Sequence, residues 1–145
     1  MTDTVIFQPL PQSFIQNQMC IRDRALTGLE FGLNQGFNSK ENKEVQIQIN
    51  MSVSVNRNEN RNEAEVTLKI ELGEKSPEMP FFITALETAR FRWGEEMEEA
   101  LVNKLLNQNA PSLLLSYVRP IVTQITAASP FGAYNIPFIN FTHKK

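Results

Sequence analysis

The sequence predicts an α+β domain: a four-stranded antiparallel sheet with one long helix and a short one packed on one face. Three observations lead there. Apolar and polar residues alternate over two long stretches on either side of a short polar loop. A third β-rich run, Phe81 to Trp93, follows a Gly/Pro break. After Gly94 the apolar spacing changes from two to helical,.

Taken in order, residues 1–24 stand apart. QMCIRDR, residues 18–24, carries the single cysteine, Cys20, and three consecutive charges. It can be read as a reactive thiol helped by Arg22 and Arg24, or as a solvated loop. A third reading comes from back-translation, which resembles the transposon end used to fragment DNA for sequencing libraries. We favour the third, and so divide the chain into a disordered or artefactual leader, 1–24, and a domain, 25–145. The leader is no signal peptide, because Pro9 and Pro11 interrupt its short apolar run.

Leu29, Phe31 and Leu33 alternate and predict a short first strand before the loop NQGFNSKENKE. In EVQIQINMSVSVN, Val45, Ile47, Ile49, Met51, Val53 and Val55 hold alternate positions, the mark of an antiparallel strand with one wet face,. After a polar turn at 56–63, Ala64, Val66, Leu68, Ile70 and Leu72 repeat the pattern and complete a hairpin,. GEKSPEMP breaks the chain before FFITALETARFRW, the third long strand,.

EEMEEALVNKLLNQ has acids in its first turn, and Met97, Leu101 and Leu105 on one face of a short helix,. Asn109 and Pro111 suit an N-cap and first turn that restart the chain. From Leu113 to Ile125 a wide apolar stripe predicts the long helix, kinked at Pro120 because proline lacks the amide and crowds the Ser116 carbonyl,. SPFGAYNIPFINF, rich in proline and aromatics, reads as an extended tail lying on something.

Composition narrows the function. A chain of 145 residues is one domain by length, and a net charge of −2 gives no pull toward nucleic acid or anionic lipid,. No run reaches the roughly 20 apolar residues of a membrane span. With no second cysteine and no export signal, the cytoplasm is the expected compartment. Beyond Arg24 every acid is glutamate and the one histidine is His143, expected to be solvated. Catalytic and metal sites draw on His, Asp and Cys, so no enzyme, metal or cofactor is expected. Tyr117 and Arg119 lack a converging base or nucleophile; Arg119 is expected to hydrogen-bond a carbonyl or a glutamate.

The long helix and tail carry a resemblance. Asn109 and Pro111, the apolar run Leu113 to Leu115, Tyr117 with Arg119, Thr126, Pro130, and Pro137 with Asn140 and Phe141 resemble the C-terminal half of the SecB protein-export chaperones. The strands upstream match that family in order and length from about Leu29. The resemblance implies a four-stranded sheet packed by a long helix, and a dimer of dimers, or homotetramer. It further implies ATP-independent binding of unfolded or preprotein polypeptides in apolar grooves, and SecA as the recipient in export. Two departures are the end at FTHKK, without a second helix or acidic tail, and Pro120 within a helix of the family's oligomer contacts.

One helix covers a sheet poorly, and large apolar patches on soluble proteins mark partner surfaces. The expected client-binding residues are Phe81, Phe82, Phe91, Trp93, Phe131, Tyr134, Ile136 and Phe138. The expected oligomer contacts are Leu114, Tyr117, Val118, Ile121 and Ile125. A general holdase is favoured over a chaperone dedicated to one toxin–antitoxin partner, and over a structural subunit whose apolar face a fixed partner buries.

Overall fold

A computed structural model describes residues 19–41 and 44–141; residues 1–18, most of the expected leader, and His143 lie outside the described residues. The four strands are β1 (Cys20–Leu33), β2 (Ile49–Asn58), β3 (Glu63–Gly73) and β4 (Phe81–Arg92). They form one antiparallel sheet in the order β1-β4-β3-β2. A 3-10 turn at Glu59–Arg61 joins β2 to β3. The helical layer is α1 (Glu99–Lys104), a π turn (Leu105–Asn109) and α2 (Ala110–Ala127), all on one face.

Alternation decides the faces. Val66, Leu68, Ile70 and Leu72 of β3, with Ile83, Ala85 and Ala89 of β4, are buried on the helix side. They pack with Val102 of α1, Leu106 of the π turn, and Leu114, Val118 and Val122 of α2 in one core. Each valine, leucine or isoleucine among them contributes about 1.5–3 kcal/mol relative to exposure. The other face is polar, and Thr27, Thr88 and Thr67 link three strands there by hydroxyl contacts of 3.1 and 3.0 Å.

Three elements differ from the sequence reading. β1 starts at Cys20, not near Leu29, so Cys20 to Arg24 belong to a strand, with Cys20 to Arg22 paired to β4, rather than to an unstructured leader. Register shifts between Arg22 and Ala25 and between Leu26 and Gly28, with Asp23 at φ 53°, scramble the alternation that would have revealed it. β2 starts at Ile49, not Val45, because β3 ends at Gly73. That residue sits at φ +66°, where a Cβ would come within 2.2 Å of the Phe81 carbonyl oxygen, so only glycine lets the chain turn away.

The third difference is the helix. Asn109 is helical (φ −79°, ψ −41°) and its side chain caps nothing, so α1, the π turn and α2 run on without a restart. Pro111 costs little there, since the π turn has already displaced the regular bonding pattern. Nor does Pro120, exposed on the outer side, end α2.

Candidate functional site

An α-helix is about 10 Å across, whereas the outer strand axes of a four-stranded sheet lie about 14 Å apart. The single helical layer therefore covers the middle of the sheet and leaves the edges. Leu29 and Leu33 of β1 are 43% and 44% exposed, and Val53 of β2 is 38% exposed, all on the helix side. Leu101 and Leu113 in the helical layer and Phe131 and Phe138 in the tail are also exposed. Among the described residues, every exposed large hydrophobic belongs to this side of the molecule.

The tail crosses the helical layer on polar bonds. The Tyr134 amide donates to Thr126 Oγ1 (2.7 Å), and that hydroxyl donates to the Val122 carbonyl (2.7 Å). Thr123 Oγ1 donates to Asn135 Oδ1 at 2.8 Å. Arg119 donates to the carbonyls of Ile136 (2.5 Å) and Pro137 (2.8 Å), in keeping with the carbonyl partner expected of it. One guanidinium clasping two successive carbonyls holds an extended chain by its backbone. Ile136 is thereby driven into the core, and Tyr134 packs on Phe81 at 6.1 Å, where burial pushes its phenol above the ordinary value. Phe131 meets Phe37 of the β1–β2 loop edge-on at 5.3 Å. Phe138 stands 85% exposed.

The expected client-binding residues thus separate. Phe81, Phe91, Trp93 and Ile136 are core, at most 9% exposed, and offer no surface. The physical reason is phase: the three strand-side aromatics share the odd register of Ile83, Ala85 and Ala89. Phe82 has the opposite phase and lies on the polar face across Gly32, with Lys75 Nζ 4.9 Å from its ring centre. Phe131 and Phe138 are exposed, and Tyr134 is half-buried. Of the expected oligomer contacts, Leu114 and Val118 are consumed by the chain's own sheet, while Tyr117, Ile121 and Ile125 are half-buried.

Sequence reasoning missed Leu29, Leu33, Val53, Leu101 and Leu113 as surface, because alternation assigns a face without saying how far a helix reaches. It also missed Glu87. This carboxylate sits in the apolar phase of β4 and is fully buried; its Oε2 accepts from Arg24 Nη1 at 2.9 Å. Its Oε1 has no hydrogen-bond partner among the described residues. Arg24 also lies over the Tyr117 ring, 4.1 Å from its centre. An acid in the apolar phase of a strand was the available signal.

No cluster of three or more metal-ligating side chains occurs among the described residues, and no helix there is long and apolar enough to cross a membrane. A hollow of about 430 Å³ lies on the polar face between Glu30, Glu71, Lys75 and Phe82, without a nucleophile–base pair among its lining residues. What the arrangement offers chemically is apolar contact.

The comparisons agree with that chemistry. The family described as preprotein translocase subunit SecB matches residues 13–143. The protein-export protein SecB of Anaplasma phagocytophilum (strain HZ) is 28% identical over 81 residues, 54% of this chain and 51% of that protein. The match spans about half the length of this curated relative. A Mycobacterium tuberculosis SecB-like chaperone, Rv1957, solved in complex with a ChAD peptide from the Rv1956 HigA1 antitoxin, superposes with a TM-score of 0.67. That superposition covers 83% of this chain and 90% of the other at 13% identity, a likeness of fold. With the family match running over nearly all of its residues, the chain belongs to the SecB family.

Proposed function

We propose that this protein is an ATP-independent holdase that binds unfolded or preprotein polypeptides, in the service of protein export. The observation that carries the reading is the one-sided apolar surface, from the uncovered edges of the sheet to Phe131 and the outstanding Phe138. Binding energy comes from apolar burial at about 25 cal/mol per Å², offset by the ordering of a flexible chain. Extended, non-native segments offer that area and native surfaces do not. Family membership supports the same reading, with a cytoplasmic location, no catalysis, SecA as a recipient, and self-assembly, as a dimer of dimers, through the half-buried Tyr117, Ile121 and Ile125.

The test is suppression of aggregation of a chemically unfolded protein without ATP. The wild type suppresses it and ignores the native form of the same client. Phe131→Ser with Phe138→Ser weakens suppression while leaving the circular dichroism unchanged, whereas Ile136→Ser lowers stability. A wild type that does not slow aggregation at about tenfold excess, enough to saturate a site of micromolar affinity, sinks the reading. Suppression confined to a single antitoxin-like partner replaces the general holdase by a dedicated one.

A further inference from the structure

Phe138 is 85% exposed on a stretch, residues 132–140, that is neither helix nor strand. A large apolar ring in such a place is expected to fold back or to sweep through solvent. The chain on either side of it is nevertheless fixed. Upstream, Ile136 is buried in the core, and Pro137 has its φ held at about −65° by its ring,. Downstream, Ile139 packs against the core. Between them, Arg119 donates through Nη1 to the Ile136 carbonyl and through Nη2 to the Pro137 carbonyl, at 2.5 and 2.8 Å. The second carbonyl belongs to the planar peptide unit that carries the Phe138 amide, so the clasp sets the plane from which that residue departs.

The bond to Pro137 is exposed and lies beyond the buried Ile136. It adds little to the core and acts on the direction of Phe138. Its base is firm, because Arg119 lies midway along α2. One turn on, Thr123 shares its hydroxyl proton between the Arg119 carbonyl (3.1 Å) and Asn135 Oδ1 of the tail (2.8 Å). Lysine is no equivalent, since a single ammonium lacks the planar fork that meets two carbonyls at once. Phe131, the other exposed ring of the tail, is held differently. Its amide donates to Ser129 Oγ at 3.2 Å, and its ring meets Phe37.

We propose that Arg119 is a positioning residue for client binding: by clasping the Ile136 and Pro137 carbonyls it presents Phe138 as a preformed apolar anchor. The inference rests on the holdase reading and names what readies its surface. Ordering a loop or a side chain on association lowers affinity, and preorganisation restores it. Arg119 has already ordered the backbone at Phe138 in the free protein. Because the clasp takes only carbonyls of the tail, the ring is left whole for the guest.

The test uses the full chain and a fluorescently labelled, permanently unfolded protein, reduced and carboxymethylated, as the client. Arg119→Lys keeps the charge but not the double clasp, and weakens binding about fivefold, the scale of ordering one side chain at an interface. In a Phe138→Ser background the same change alters binding by less than about twofold, because the ring it positions is gone. In a Phe131→Ser background it keeps its full effect. A merely structural role would lower the melting temperature and carry through both backgrounds alike. If Arg119→Lys does not fold, Pro137→Gly takes its place, since it keeps both carbonyls and frees the backbone between them. Arg119→Lys that binds like the wild type, Phe138→Ser without effect, or losses that add in the Phe138→Ser background overturn the proposal. A wild type that binds the client without that coupling rejects the role of Arg119 and keeps the holdase; a wild type that ignores the client rejects both.

Discussion

The two outer strands of the sheet are held in opposite ways. β1 is irregular, and side chains compensate. Arg24 bonds the buried Glu87 and covers Tyr117, Lys75 pairs with Glu30 at 3.3 Å, and Asn34 donates to the carbonyls of Glu74 and Met79. β2 is regular, and its backbone ladder to β3 suffices; an ion pair from Arg57 to Glu99 of α1 anchors one end. An edge tied down through its side chains, with two breaks in register, is a poor template for pairing,. One held only from its inner side keeps the outer side of its backbone for other use.

The comparison is broken most forcefully at Arg24. Removing one member of a buried ion pair leaves the other charge uncompensated, at about 3–5 kcal/mol. Because Arg24 is itself partly exposed, Arg24→Ala is expected at the lower end, about 3 kcal/mol, or roughly ten degrees of melting temperature. Glu87→Leu alone is near neutral, and in its presence Arg24→Ala costs little. Truncation before Ala25, expected from the sequence to be harmless, reproduces the Arg24→Ala loss, since Arg24 goes with it and Met19 and Ile21 pack against the core. A loss below about 1 kcal/mol, the scale of an exposed ion pair, refutes the idea that β1 is pinned there.

A smaller effect sharpens it. A Cβ on Gly32 of β1 would stand 2.5 Å from Phe82 Cζ, so Gly32→Val must displace the ring, at about 1–2 kcal/mol. Phe82→Ala alongside it recovers most of that loss. The matching change on β2, Ser52→Val on the same polar face, is worth within about 0.5 kcal/mol, because it meets solvent. Thermal melts of the three variants decide the point, and equal costs on the two strands erase the difference.

What the sequence disclosed follows the same division. β2 and β3 were legible because their pairing has no shift, so period two survives from Ile49 to Leu72. β1 was hidden beyond Leu29 by its two bulges, glycines and charges. The site was legible in kind and only partly in place. Phe131 and Phe138 follow from a tail too apolar for solvent and too rich in proline for a helix. Phe81, Phe91 and Trp93 were expected on the surface although they share the phase of Ile83 and Ala89, which already assigned them to the core. The clasp of Arg119 on the tail was foreseen in its chemistry. Leu29, Leu33 and Val53 needed the width of the helical layer, which no local pattern carries.

The smallest expected effect lies at the anchored end of β2. The hydrogen bond from Arg57 holds the Glu99 carboxyl below its ordinary value of 4.5. Arg57 also donates to Asn103 Oδ1 at 3.2 Å and lies 5.2 Å from the centre of the Trp93 ring. A carboxyl whose folded pKa is depressed adds stability above its unfolded pKa and loses it as pH falls through the folded one. Wild type and Glu99→Gln should therefore differ slightly near neutrality and converge below the ordinary carboxylate range. The gap is small, since Glu99 is solvent-exposed and Arg57 keeps its other two contacts. Paired thermal melts at about pH 7 and pH 3, on either side of that range, measure it. A Glu99→Gln loss as large as that of Arg24→Ala, or one that persists in acid, would show that β2 too depends on a side-chain pin.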